Sequence, residues 1–224
     1  MKAALALYCR EPKPGHVKTR LGIDIGDESA SEFYERCLGL LRDEVDAVLD
    51  LYDLIICPSH GYEGAWARKF FGRKETLVLP QVDGNLGTKL SQSLSDIRTA
   101  GYGPVAFIGS DAPSLPVQFL RDVHELAQRH DIVLGPTDDG GVWTMAVAGQ
   151  APSLREIPWS TEFVFERLMA ESRQAGISVG IARTWYDVDD KRGLRRAAVD
   201  LDASESSQRQ ELARWIQGII KGVA

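Results

Sequence analysis

The feature that most limits the fold is a series of short apolar runs that do not alternate. AALALYC (3–9), YDLIIC (52–57), ETLVLP (75–80), GPVAFIGS (103–110), DIVLGP (131–136), VWTMAVA (142–148) and ISVGIA (177–182) are each of strand length, and most are apolar throughout. A strand with one wet face alternates, whereas an unbroken apolar run needs cover on both faces. Segments of helical period lie between the runs, at about 28–49, 64–71, 86–100, 116–129, 161–175 and 204–221. In the first, Phe33, Cys37, Leu40, Leu41 and Val48 share one side. Strands alternating with helices predict an α/β fold: an open, mostly parallel sheet with helices on both faces, three layers α/β/α, as one domain over 1–224. VWTMAVA follows a DDGG turn and is the candidate antiparallel strand.

Composition excludes several functions. A net charge of -6 opposes broad binding of nucleic acid or anionic membranes, which need a positive face. Cys9, Cys37 and Cys57 lack CxxC spacing and sit in apolar patterns, so they read as reduced core residues. Neither a signal segment nor an apolar run of membrane length is present, and the expected location is the cytoplasm. The histidines at 16, 60, 124 and 130 form no HExxH pair, and GxSxG is missing, which lowers zinc and hydrolase chemistry.

Ligands of open α/β sheets bind at the carboxyl ends of the strands, and four loops there carry unusual polar sequences that can converge on one cleft. REPKPGHVKTR (10–20) follows the first strand. Pro12 and Pro14 stiffen it, Gly15 permits a tight turn, and Lys18 and Arg20 suit a polyphosphate, Arg as a bidentate fork and Lys as a point charge. It is neither a P-loop nor a GxGxxG turn. A solvated basic loop is the alternative. SDAPSLP (110–116) places Asp111 at the sheet rim, as a hard oxygen ligand for Mg²⁺ or, alternatively, with Ser114, as a helix cap. In YDVDD (186–190), Asp187 and Asp189 share one side of an extended segment, either being a second metal ligand, and Asp190 caps a following helix. TDDGG (137–141) is a hairpin turn, or it offers Asp138 or Asp139 to a second substrate, with Gly140 and Gly141 allowing close approach and Trp143 as a wall. In IPWST (157–161), Trp159 is core or pocket lining, and Ser160 or Thr161 an N-cap.

Taken together, CREPKPGHVKTRL, QVDGNLGTKL, FIGSDAPSLP, VLGPTDDGGVW, IPWST and YDVDD resemble a bacterial family of uncharacterised transferases in the nucleotide-diphospho-sugar transferase superfamily, with the GT-A fold. Some of its members are labelled arsenosugar-biosynthesis glycosyltransferases. VKTRL is also similar to the lysine-x-arginine element of 2-phospholactate guanylyltransferases and, more loosely, to the loop of molybdenum-cofactor guanylyltransferases. The resemblance implies a nucleotide-binding loop containing Arg10, Pro14, Gly15, Lys18 and Arg20. It implies Asp111 and Asp189 as ligands of Mg²⁺ or Mn²⁺, and an acceptor region at Asp139, Gly140, Gly141, Trp143, Trp159 and Ser160. Lys18, Arg20 and Asp111 are then the candidate catalytic residues. Relatives often continue the last acidic pair with Thr-Pro-Glu-Asp, where this chain has Asp190-Lys191-Arg192-Gly193.

The expected partners are a nucleoside triphosphate or nucleotide sugar and a small acceptor. Nucleotidyl transfer with release of pyrophosphate is the mechanism the basic loop favours. Glycosyl transfer from a nucleotide sugar, or an inactive nucleotide sensor on the same fold, are the alternatives.

Overall fold

A computed structural model describes residues 1–59, 63–72 and 76–222. These form two compact units, one from 1–10, 47–109 and 116–185, the other from 11–46, 110–115 and 186–224.

The first unit holds a sheet of seven strands: β1 (Ala3–Cys9), β2 (Tyr52–Pro58), β3 (Leu77–Val78), β4 (Val105–Ile108), β5 (Ile132–Pro136), β6 (Val142–Val147) and β7 (Val179–Ile181). Their order is β3-β2-β1-β4-β6-β5-β7. All neighbours pair in parallel except β6, which runs antiparallel to both β4 and β5. The apolar runs therefore are the strands, and VWTMAVA is the antiparallel member. The third run contributes only Leu77–Val78. Beyond it Leu79 N and Gln81 N still donate to Ile56 O and Pro58 O, each at 2.9 Å, and the expected first residue, Glu75, lies outside the described residues, as does His60.

One sheet face, with Ala6, Ile55, Phe107, Leu134 and Met145, is covered by Leu90, Leu94 and Ile97 of α4 (Leu86–Thr99) and by Val164 and Leu168 of α6 (Val164–Gln174). Tyr52 points to the opposite face, since the register alternates it with Ile55. Its hydroxyl donates to the Leu120 carbonyl of α5 (Val117–Ala127) at 3.0 Å. Helices thus cover both faces of this sheet, as the unbroken apolar runs require. A further helix, α3 (Glu63–Phe71), follows β2.

The second unit is helical: α1 (Thr19–Ile25), α2 (Asp27–Glu44), α7 (Lys191–Asp202) and α8 (Ser207–Gly222), with the segment 110–115. Phe33 of α2 stacks on Trp215 of α8 with ring centres 6.4 Å apart. The expected helix 28–49 ends earlier, passing into a 3₁₀ turn at Val45–Val48. Neither α1 nor the length of α7 was expected. The seven residues of α1 carry Gly22 at their centre and end at Gly26, so propensity speaks against a helix there. All three cysteines are buried and outside any disulfide, and burial pushes the Cys57 thiol up to about 12.

Candidate functional site

The loop after β1 is shaped by its own residues. Pro14 and Gly15 occupy the two middle positions of a turn closed by His16 N donating to Lys13 O at 3.0 Å. Gly15 has φ +74, the left-handed value that the third position of a type II turn demands. Arg10 stands exposed just beyond β1.

Lys18 then adopts φ 47 and ψ 41, a left-handed conformation that costs a non-glycine residue about 1 kcal/mol. Its carbonyl accepts from Gly22 N at 2.8 Å, opening α1, while no side-chain bond caps that helix. The side chain is committed elsewhere. It is 4% exposed, with Nζ at 3.2 Å from Asp111 Oδ1 and 3.1 Å from Asp189 Oδ1. Arg20 differs: its side chain is 79% exposed, and its Nη1 is 3.9 Å from Asp189 Oδ2. The Lys18 side chain is therefore buried rather than solvated, while that of Arg20 is exposed.

Both carboxylates are held by the second unit. Asp111 accepts on its backbone carbonyl from Val188 N at 2.9 Å, which places Asp189 beside it. Of the two alternating aspartates in YDVDD, Asp189 is the one held at 3.1 Å from Lys18 Nζ. Asp190 caps α7 through Gly193 N at 2.7 Å, and Asp24 accepts from Lys191 N at 3.0 Å. The capping alternative for Asp111 and Ser114 does not hold: α5 begins after Pro116 with no side-chain cap, and Ser114 Oγ donates to Tyr186 Oη at 2.8 Å.

Burial alone would pull the Lys18 pKa down. The Asp111 and then the Asp189 carboxylate outweigh it and hold the ammonium above the ordinary lysine value. The result is a cation fixed between two partly exposed carboxylates, at a strained residue. That is a charge arrangement able to exchange partners when an anion or a second cation arrives.

Supports that the sequence reading did not identify surround the 110–115 segment. Arg209 of α8 is buried, pairs with Glu44 (Nη2 to Oε2 2.7 Å), and donates to the carbonyls of Ser114 at 3.3 Å and Leu115 at 2.7 Å. Ser110 and Tyr34 share a buried hydroxyl bond of 2.7 Å. An arginine in an otherwise apolar helical stripe, with Leu212, Ala213 and Ile216, was the available signal.

The acceptor-side candidates lie in the sheet unit. Asp139 Oδ1 accepts from Thr137 Oγ1 and from Gly141 N at 3.1 Å, so its carboxylate braces the hairpin turn between β5 and β6. A Cβ on Gly140, at φ +85, would sit 2.0 Å from Glu162 O, which only glycine avoids. Trp143 is buried and donates to Arg183 O at 2.9 Å. Trp159 donates to Leu154 O at 2.7 Å. Ser160, with φ 66, does not cap α6. That helix starts at Val164, after Thr161 Oγ1 has accepted from Phe163 N at 3.3 Å.

Mg²⁺ or Mn²⁺ fits the donor set in part. The carboxylates of Asp111 and Asp189 are hard oxygen donors of the kind such ions take, and Lys18 bonds through one oxygen of each. Among the described residues no group of three or more His, Cys, Asp or Glu could hold a metal. A divalent ion here would depend on phosphate oxygens and water for the rest of its shell. Among the same residues no helix is long and apolar enough to cross a membrane.

Comparison places this architecture among known proteins. Residues 45–161, a little over half the chain, match the family described as "Uncharacterized protein conserved in bacteria (DUF2064)". That stretch includes Asp111 but neither Lys18 nor Asp189. No curated protein matches the sequence. A Desulfovibrio desulfuricans G20 protein, provisionally named a nucleotide-diphospho-sugar transferase, superposes with TM-score 0.89 at 23% identity, covering 100% of this chain and 99% of that one. A cytidylyltransferase from Leptospira borgpetersenii serovar Hardjo-bovis follows at TM-score 0.56 and 11% identity, covering 99% and 95%. The inositol-1-phosphate CTP transferase of T. maritima gives TM-score 0.51 and 15% identity, covering 100% and 98%. At such identities these likenesses establish the fold, which is that of the nucleotide-diphospho-sugar transferases.

Proposed function

We propose, for a chain that belongs to this bacterial family, DUF2064, and carries the fold of the nucleotide-diphospho-sugar transferases, a metal-dependent nucleotidyl transfer. The observation that carries the reading is Lys18, a buried cation held at a left-handed residue between Asp111 and Asp189. A structural ion pair needs neither the backbone strain nor two acidic partners for one base. Backbone strain of this kind clusters at functional sites, and a lysine that shared its carboxylates with a metal would meet two acidic partners.

In this reading Lys18 and Arg20 bind the phosphates of a nucleoside triphosphate, with Arg10, Pro14 and Gly15 shaping the loop. Their charge grows more valuable as pyrophosphate leaves, because attack at the α-phosphorus shifts negative charge onto the leaving group. Asp111 and Asp189 would hold Mg²⁺ or Mn²⁺, which when bound neutralises phosphate charge. The exposed Arg20 guanidinium has the freedom to close on phosphate oxygens. The acceptor side is assigned to Trp143 and Trp159, with Asp139, Gly140, Gly141 and Ser160 shaping the adjoining turns.

The names of the structural neighbours support a nucleotide substrate: one is a cytidylyltransferase and another a CTP transferase. The Desulfovibrio protein's name favours a second reading, transfer of a sugar from its nucleotide diphosphate. One experiment separates them. The chain is incubated with Mg²⁺ or Mn²⁺, a panel of nucleoside triphosphates or nucleotide sugars, and candidate acceptors, and pyrophosphate and nucleoside diphosphate are assayed separately. Pyrophosphate release lost in Lys18→Met supports nucleotidyl transfer. Diphosphate release without pyrophosphate replaces it with glycosyl transfer. A thermal shift with nucleotide but no turnover leaves the sensor reading.

A further inference from the structure

A second feature lies wholly within the sheet unit. At the carboxyl ends of β1 and β4, beside the start of β6, a cavity of about 170 Å³ is walled by Tyr8, Leu90, Phe107, Trp143, Met145 and Trp159. Its position is where open α/β sheets bind ligands.

The chemistry of the walls narrows what fits. Four side chains lining the cavity carry a polar hydrogen, and each hydrogen is already used inside the protein. Tyr8 Oη donates to Ser93 Oγ at 2.8 Å and Thr144 Oγ1 to Phe107 O at 2.9 Å. Trp143 Nε1 donates to Arg183 O at 2.9 Å and Trp159 Nε1 to Leu154 O at 2.7 Å. Both indoles therefore present ring surface to the cavity rather than a donor. A sugar hydroxyl or a phosphate entering here would leave water without a side-chain donor to replace it. Each hydroxyl so stranded lowers affinity roughly 5- to 150-fold. An apolar ring meets no such loss. The size agrees, since an engineered apolar cavity of about 150 Å³ in another protein takes up benzene. The ring edges are already arranged for it, as Tyr8 and Phe107 meet edge to face at 5.8 Å and 81°.

We propose that this cavity binds an uncharged aromatic ring of about benzene size. The proposal deepens the acceptor assignment of Trp143 and Trp159, and it rests on that reading only for the ring's being part of the acceptor. Ring binding itself needs neither nucleotide nor metal.

The test uses the full chain without nucleotide, titrated with fluorobenzene and followed by ¹⁹F NMR, with glucose as the hydroxyl-rich counterpart. Saturable fluorobenzene binding at one site is expected, with no saturable binding of glucose. Leu90→Phe, which fills the cavity from α4, should weaken fluorobenzene at least tenfold. Where that variant does not fold, Leu86→Phe enters from the cavity's partly exposed margin and should do the same. Absence of saturable fluorobenzene binding in the unmodified chain overturns the proposal, as does equal binding of glucose or undiminished binding in the folded filled variant. Turnover is scored separately, so a chain that binds fluorobenzene but transfers no nucleotide loses the transferase reading and keeps the cavity assignment.

Discussion

Replacing Lys18 by Met keeps the side chain's length and removes its charge, so it isolates the electrostatic role of the group between Asp111 and Asp189. The two contacts, at 3.2 and 3.1 Å, are each worth roughly 5 kcal/mol of attraction at an effective dielectric near 20. Taking the ammonium out of water offsets several kcal/mol of that sum. The partners are 41% and 51% exposed, so water compensates part of what each loses. A net loss of about 2 kcal/mol remains, corresponding to a drop in Tm of roughly 4–8 °C for a chain of this size. The pH dependence identifies the source. The Lys18 pKa is raised above its ordinary 10.5, so its stabilisation is complete below that value and is lost as pH rises through the folded-state pKa. Urea unfolding followed by tryptophan fluorescence should show the full gap between the two proteins from about pH 7 to 10, closing at higher pH as the unmodified chain loses its advantage. A gap absent at neutral pH, or one that persists unchanged well above the folded-state pKa, would refute the electrostatic account.

The same geometry sets other outcomes. Without Lys18 competing for one oxygen of each carboxylate, the Lys18→Met apo protein should bind Mn²⁺ more tightly than the unmodified chain, and calorimetry showing equal or weaker binding would count against metal ligation by Asp111 and Asp189. Arg20→Ala, at an exposed side chain, should change stability by less than about 0.5 kcal/mol yet weaken nucleotide binding about tenfold, an effect checked by calorimetric titration. Asp111→Asn should retain a cooperative melt while losing metal-dependent product release, and Asp189→Asn should lose it less completely; wild-type release from Asp111→Asn removes the site. Arg209→Met should cost about 2–4 kcal/mol in denaturant unfolding, because Glu44 and the carbonyls of Ser114 and Leu115 lose a shared partner.

The sheet was legible because burial on both faces leaves a local mark, the unbroken apolar run, and β6 was legible as antiparallel because Asp139-Gly140 signals a hairpin. Strand edges were less so: the third run is a regular strand only at Leu77–Val78, although Leu79 N and Gln81 N still donate to Ile56 O and Pro58 O. The helix α7 was readable in principle, since Leu194, Ala197, Ala198 and Leu201 repeat at helical spacing behind the Asp190 cap, but its many charges hid the stripe. Lys18 and Asp111 were singled out from the chemistry of loops, and Asp189, which that chemistry left level with Asp187, by the family resemblance. Their mutual contact was not readable from spacing, because it depends on a left-handed residue and on a backbone bond from Val188 to Asp111. Asp139 shows the converse: a carboxylate in a suggestive loop whose hydrogen bonds serve the turn.

The contact between Lys18 and Asp189 spans 171 positions of chain. On a ribosome adding about 5–20 residues per second, the loop after β1 emerges roughly 10–35 s before the aspartate that will accompany it. During that interval Lys18 has at most Asp111 as a companion, and the helical unit, built from three separated stretches, lacks its last one. Competence to hold phosphate in the proposed way is therefore acquired late and in one step, when residues 186–190 arrive. A nascent chain halted earlier would carry most of the sheet and none of the completed charge cluster.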